Sequence, residues 1–407
     1  MNAPNGEILR LFRLLCGIGL LARFSYALAR NPVLPLFALA LGAGPEGIGL
    51  AVGISTVTGI FFKLPSGALS DVIGRRRTML AGLVVFGCMP FAYLLVSSYQ
   101  GLVVVRFLHG LATAIYGPVA MAVVADVAGQ RKGEMLSWFS SLAILGTLLG
   151  APVGGFLLFM LSGGNNPTLF DFRIVYLASG IAGATALVLG LRTLRNGERP
   201  PRAGTLKQRW HLFRRGIAEV VSDRRVLVTS SMEGVQNMSM GALEAFLPIY
   251  AVTVVGLNEF QAGMLWGAQV VVTLIAKPLM GRVSDRWGRR PLIVAGLFLC
   301  AVPFMLIPHL TTFSSLLLAC ALFGFGEAFV TSSSAALVAD YCHARNYGAA
   351  MGTFGTIFDI GHASGPIVTG LLIAALGYGT AFAIVGTLLI AAVPVFLTYV
   401  REEPSPF

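Results

Sequence analysis

Apolar runs long enough to cross a lipid bilayer recur along almost the whole chain, and this feature restricts the fold more than any other. About 20 helical residues span a hydrocarbon core. Runs of that kind cover roughly residues 10–40, 46–70, 77–98, 100–128, 133–162 and 172–194, and then 226–255, 259–284, 290–309, 312–341, 346–376 and 378–400. Only 12% of the 407 residues are charged, against roughly 25% in a soluble domain. That leaves too little polar surface for a water-soluble globule. Backbone inside a bilayer must satisfy its own hydrogen bonds, which selects helices or closed barrels. Runs of this length select helices, so the expected fold is all-α and integral to a membrane, with twelve spans. The 49 glycines suit helices that approach closely through small side chains.

The net charge of +11 is distributed in short runs between the apolar stretches: Arg75 to Arg77, Arg131 and Lys132, Arg286, Arg289 and Arg290, and most densely between Arg192 and Arg225. The alternate connections, around Gly44, Ser98, Asn258, Thr311 and Gly377, carry no Lys or Arg. Cytoplasmic loops concentrate Lys and Arg, so both termini are expected in the cytoplasm, with the chain multi-pass in the cytoplasmic (inner) membrane. The lipid bilayer is the partner this charge serves. No basic domain interleaved with aromatics exists to grip a nucleic acid. The five cysteines (Cys16, Cys88, Cys300, Cys320, Cys342) form no CxxC pair and read as small buried hydrophobes, with no metal site. Arg10 and Arg13 precede a run that Arg23 and Arg30 interrupt, which reads as a first span and not a signal peptide.

An internal repeat organises the chain. GALSDVIGRRR (Gly67 to Arg77) returns as GRVSDRWGRRP (Gly281 to Pro291), 214 residues later. At the same offset Lys63 matches Lys277, Gly110 matches Gly324, and Val124 to Asp126 match Val338 to Asp340. One residue out of that register, Gly146, Gly150 and Gly155 match Gly361, Gly365 and Gly370. Two pseudo-symmetric six-helix bundles are expected, over 1–194 and 226–407, joined by a basic cytoplasmic linker at 195–225. In folds built from such repeats, ligands bind near the midplane between the halves. The linker pairs Trp210, Leu212, Phe213 and Ile217 with Lys207, Arg209, Arg214 and Arg215, a pattern suited to lying against anionic headgroups.

The repeated string resembles the signature of the major facilitator superfamily, G-x-L-x-D-R-x-G-R-[KR], and the chain is most similar to its twelve-span drug:proton antiporters. Gly67, Leu69, Asp71, Gly74, Arg75 and Arg76 fit it, with Val72 where the family has Arg; Gly281, Asp285, Arg286, Gly288, Arg289 and Arg290 form the second copy, with Val283 in place of Leu. A latch at the cytoplasmic face is implied, with Asp126 and Asp340 as partners for the arginines. Arg106 and Gly110 fit the family's R-x-x-x-G element, which implies an influence of Arg106 on proton coupling. GTLLGAPVGG (Gly146 to Gly155) approaches the antiporter motif, but Ala151 displaces Pro152 by one; GHASGPIVTG (Gly361 to Gly370) lies nearer to it, in the other half. The resemblance implies a secondary transporter driven by an ion gradient, with protons as the coupling ion and a small molecule as substrate.

Ionisable side chains inside spans are costly, and by default they mark pathways. Arg23 and Arg30 stand seven residues apart and share a face of span one with Tyr26. Span seven carries Glu233, Gln236, Asn237, Met240 and Glu244, and span eight carries Gln269. Of these, Arg23, Tyr26, Arg30, Gln236, Asn237, Met240, Glu244 and Gln269 are candidates for lining a cavity. Glu233, Glu327, Asp359 and His362, with Arg106, are candidates for coupling to protons. Glu244 is the repeat mate of Arg30, so that arginine is expected to meet either Glu244 or an anionic group on the substrate. No Walker A, GxSxG or HExxH string occurs, and neither an enzyme nor a cofactor is expected. The reading is proton-coupled efflux of small organic compounds by alternating access, by a chain acting as a monomer. The alternatives are uptake or exchange of an organic anion, and a non-transporting sensor or scaffold of the same fold.

Overall fold

The computed structural model describes residues 5–128, 131–194, 223–341 and 347–400, and among them there is no β-strand. Most of the basic linker lies outside these residues. The helices, in chain order, are α1 (Asn5–Leu28), α2 (Val33–Ala40), α3 (Pro45–Ile73), α4 (Arg75–Ala92), α5 (Tyr99–Ala128), α6 (Lys132–Ser162) and α7 (Leu169–Thr193). After the linker come α8 (Arg224–Ile249), α9 (Glu259–Trp287), α10 (Arg289–Leu306), α11 (Phe313–Tyr341) and α12 (Tyr347–Tyr399).

Ten helical stretches among the described residues are long and apolar enough to cross a membrane. Two features reconcile ten with twelve. The last stretch, Ala350–Tyr399, contains two spans, because Gly377 breaks α12 with φ 78° and ψ 171°. α8 falls short on hydropathy because Glu233, Gln236, Asn237 and Glu244 interrupt its apolar residues. Both polarity and buried surface then have to be satisfied within α8's own packing.

The repeat is written into the backbone. Among the described residues positive φ occurs only at glycines, and three pairs of them stand 214 residues apart: Gly42 with Gly256, Gly74 with Gly288, and Gly163 with Gly377. L side chains rarely adopt such φ values, so the sequence keeps glycine at the same corner of each half. The short 3-10 turns Tyr93–Leu95 and Ile307–His309 close α4 and α10 at the same offset.

Two compact units result. The first comprises Met1–Ala43, Ile54–Arg209 and Asn258–Met264; the second comprises Gly44–Gly53, Trp210–Leu257 and Leu265–Phe407. In the first unit α1 packs on α6 and α7, and α4 on α5 and α7. Gly150 of α6 lies so close to α1 that a Cβ there would come within 2.8 Å of the Leu28 nitrogen. The opening turns of α9 belong here: a Cβ at Gly263 would be 2.9 Å from the Ala151 carbonyl, and the Phe156 and Phe260 rings meet edge-on at 5.6 Å. In the second unit α8 packs along α12, and α10 on α11. Gly361 and Gly365 of α12 press against the backbone of α8 at Gly234 and Met238. The glycine strings of spans five and eleven thus serve close crossing of helices, as small residues do in membranes. The first turns of α3 join this unit, with Gly53 facing the Ala363 carbonyl of α12 and Gly370 facing Pro45.

Candidate functional site

The two repeated strings form corresponding corners. Gly74 caps α4 with φ 103°, and Gly288 caps α10 with φ 90°. In the first unit Arg75 Nε lies 3.1 Å from an Asp126 carboxylate oxygen at the end of α5. In the second unit Arg289 Nε donates to Asp340 at 2.5 Å, and Nη1 lies 3.3 Å from Asp285. Arg290 donates to the Leu397 carbonyl at 2.5 Å. Gly67 is in the last turns of α3 near Pro118, whereas a Cβ at Gly281 would meet nothing within 4 Å. Arg76 is half-buried, and the Asp71 side chain lies outside the described residues. An ion pair ties the α3–α4 corner to α5, and a two-pronged Arg289–Asp340 contact ties the α9–α10 corner to α11.

Within the first unit Arg106 is fully buried on α5. Its Nη2 donates to Ser55 Oγ at 2.6 Å, and its guanidinium carbon stands 5.6 Å from the Tyr26 ring centre. Arg30, between α1 and α2, sits 5.7 Å from the same ring. One turn along α5, His109 Nδ1 lies 3.0 Å from the Tyr93 hydroxyl, and the Tyr93 ring stacks on Tyr176 at 4.2 Å. Tyrosine rings, with electron-rich faces, attract the guanidinium groups here. Arg23, two turns before Arg30, lines a separate cavity of about 280 Å³ between α1, α5 and α6.

Within the second unit the polar interior is acidic. Glu327 of α11 accepts from Gln269 Nε2 at 2.5 Å and from Thr273 Oγ1 at 3.1 Å, both on α9, and its other oxygen lies 3.6 Å from Lys277 Nζ. Gln269 also lies 3.9 Å from the Met240 sulphur. Glu233 accepts from Asn237 Nδ2 at 3.2 Å, and the same amide donates to Gln236 at 3.0 Å. Lys277 and Glu327 are within electrostatic reach of Glu233. Further along α8, Glu244 Oε2 lies 3.2 Å from His362 Nε2 on α12. Asp359, one turn before His362, is also buried. The buried hydroxyls of Thr229, Ser230, Ser333 and Ser334 have no hydrogen-bond partner among the described residues.

The chain thus sorts its interior carboxylates by half, while Lys63 and its repeat mate Lys277 lie inside helices of both halves. Every acidic residue of α1 to α7 falls within a few residues of a helix end, whereas Arg23, Arg30, Lys63 and Arg106 fall inside the spans or their connection. In α8 to α12, by contrast, Glu233, Glu244, Glu327 and Asp359 all lie within helices. Sequence reasoning missed Ser55, Tyr93, Tyr116, Tyr176 and Thr273, all ordinary span residues whose importance comes from distant neighbours. Their only sequence signal was polarity within an apolar run. No cluster of three or more His, Cys, Asp or Glu that could hold a metal ion occurs among the described residues.

The family model of the Major Facilitator Superfamily matches residues 15–270 and 233–406, nearly the whole chain. The chain belongs to the Major Facilitator Superfamily. As a member it is a multi-pass membrane protein that transports small molecules and is not an enzyme. An uncharacterised MFS-type transporter of Methanocaldococcus jannaschii is 25% identical over 374 residues, covering 90% of each chain. The multi-drug resistance efflux pump PmrA of Streptococcus pneumoniae is 23% identical over 364 residues, covering 86% of each. The crystal structure of a bacterial homologue of the human lysosomal transporter Spinster superposes with a TM-score of 0.80 at 15% identity, covering 99% of this chain and 100% of the other. That last likeness speaks for the superfamily fold alone.

Proposed function

We propose that this transporter exports small organic compounds in exchange for protons, by alternating access of two bundles, with both termini in the cytoplasm. The observation that carries the reading is the acidic interior of the second unit. Glu327 is held by Gln269, Thr273 and Lys277, and Glu233 lies within reach of the same lysine. A carboxylate buried beside a cation and neutral donors can exist with or without its proton, and the lysine's contact with it changes accordingly. The hydroxyls of Thr229, Ser230, Ser333 and Ser334, buried and without partners among the described residues, suit a hydrated path, because buried polar groups need partners. The His362–Glu244 contact offers a second exchangeable site. The similarity to an efflux pump supports the direction of transport, and the basic runs of the alternate loops support the orientation. In this reading the Arg75–Asp126 and Arg289–Asp340 ion pairs are the latch, each holding the corner of its own unit to the end of a neighbouring helix.

The test separates driving from binding. In everted vesicles carrying the protein, an imposed pH gradient is expected to drive uptake of a fluorescent organic probe, chosen as one that binds the purified protein. Glu327→Gln or Asp359→Asn should stop the driven uptake while leaving equilibrium binding within about twofold. If both variants still concentrate the probe, the protons travel elsewhere and the acidic interior is structural.

A further inference from the structure

Arg23 stands far inside span one, about 22 Å of helix rise beyond Ile8, where the span begins. An ionised guanidinium at such depth requires an anion, a polar cage or a water-filled space. Its surroundings have been built for none of the usual internal partners. Among the described residues no carboxylate pairs with it, and the acidic residues of α1 to α7 all sit towards helix ends. The neighbouring charge is Arg30, of the same sign, and the nearby polar rings are Tyr26 and Tyr116.

What Arg23 does face is the cavity of about 280 Å³, lined also by Tyr116, Gly117, Phe139, Ser140 and Thr147. Tyr116 is 2% exposed, and its hydroxyl has no hydrogen-bond partner among the described residues. Ser140 makes only a weak 3.9 Å contact with the sulphur of Met121. Gly117 leaves the wall open: a Cβ there would meet nothing within 4 Å. One turn before Arg23, Gly19 makes room for the Phe139 ring, since a Cβ would come within 2.8 Å of it. The cavity therefore offers a fixed cation, a buried hydroxyl donor without an acceptor, the Ser140 hydroxyl, the Thr147 hydroxyl (which donates to the Ala143 carbonyl at 3.3 Å) and an apolar wall of Phe139, Met121, Ala143 and Ile144. That donor set complements an anionic oxygen group carried on an apolar body.

We propose that Arg23 and Tyr116, with Ser140 and Thr147, form a subsite for an anionic oxygen group, a carboxylate, sulfonate or phosphate, on the transported compound. The inference rests on the transport reading and deepens it by naming the substrate's charge. The first unit supplies recognition of the anion, and the second supplies the exchangeable protons. The same chemistry is available from the phosphodiester of an anionic lipid, and the experiment separates the two sources.

The full-length protein is placed in phosphatidylcholine nanodiscs and titrated with benzoate, benzenesulfonate and phenyl phosphate, with benzylamine and benzyl alcohol as controls. At least one of the three anions is expected to bind and to raise the melting temperature, as a native-state ligand does, while the controls do not. Losing a charge-assisted contact should weaken that anion about ten- to a hundred-fold in Arg23→Gln. Arg23→Lys should recover part of the loss, and Tyr116→Phe should weaken binding several-fold. Gly117→Leu fills the open wall without touching the donors and should also abolish binding, so it decides the matter if the Arg23 variants fail to fold. Absence of binding by all three anions overturns the proposal, as does unchanged affinity in Arg23→Gln or Gly117→Leu. Repeating the titration with phosphatidylglycerol in the discs identifies the occupant: retained affinity supports a solute, and competitive loss assigns the subsite to lipid and overturns the substrate assignment. Because these are equilibrium measurements, failure here leaves probe flux in everted vesicles untouched, and loss of flux alone leaves the subsite standing.

Discussion

The contact between Glu327 and Lys277 makes the sharpest energetic prediction. At 3.6 Å, two unit charges at an effective dielectric of 20 attract by about 4–5 kcal/mol before desolvation. The lysine side chain is 39% exposed and the glutamate 9%, so water screens much of that attraction, and a net coupling of about 1–2 kcal/mol is expected. Glu327→Gln keeps the shape, and its amide oxygen can still accept from Gln269 and Thr273, but it turns an N–H₂ group towards the ammonium. Lys277→Gln removes the cation and leaves the carboxylate with its two neutral donors. The double variant loses both charges and restores compatibility. In a double-mutant cycle read by reversible unfolding in mild detergent, the double variant should therefore be more stable than additivity predicts by about 1–2 kcal/mol. Additivity within about 0.3 kcal/mol would refute the reasoning, because it would mean that the lysine serves the aqueous side and not Glu327.

Two further predictions concern packing and backbone. Gly361→Ala and Gly365→Ala place a methyl group against the backbone of α8 and should destabilise the second unit by about 1–3 kcal/mol, seen as a lower melting temperature, whereas Gly352→Ala, with nothing within 4 Å, should be silent. Gly74→Ala and Gly288→Ala force a side chain into positive φ at about 1–3 kcal/mol each; equal melting temperatures to the parent would remove the backbone argument for the repeated corners.

Much of the architecture was legible because it is written in local, repeated signals. Hydropathy marks spans directly, since lipid leaves no other way to satisfy backbone. The 214-residue offset seen between Gly67 and Gly281 reappears in the positive-φ glycines, where backbone geometry dictates the residue. α8 was visible only by combining its apolar residues with a polar stripe, because burial inside a bundle tolerates polarity that lipid contact does not. The site was less legible. Ionisable residues within spans announce themselves by cost, so Arg106, Glu233 and Glu327 could be singled out. Which side chains they pair with could not. Ser55 meets Arg106, Thr273 meets Glu327, and His362 meets Glu244 through helix crossings whose register depends on packing between distant segments. Tyr116 looked like any aromatic in a span, and only the cavity beside Arg23 gives its hydroxyl a meaning.

The central claim is the exchange of protons for an organic compound, and it is tested most directly in sealed proteoliposomes containing the purified protein and an internal pH dye. With an acidic lumen and no other driving force, external addition of a compound that binds the protein should release luminal protons at a rate that saturates with its concentration, and the compound should accumulate inside. Glu327→Gln proteoliposomes should do neither. Accumulation of the compound with no proton movement, or proton release of equal size in liposomes without protein, would contradict the account.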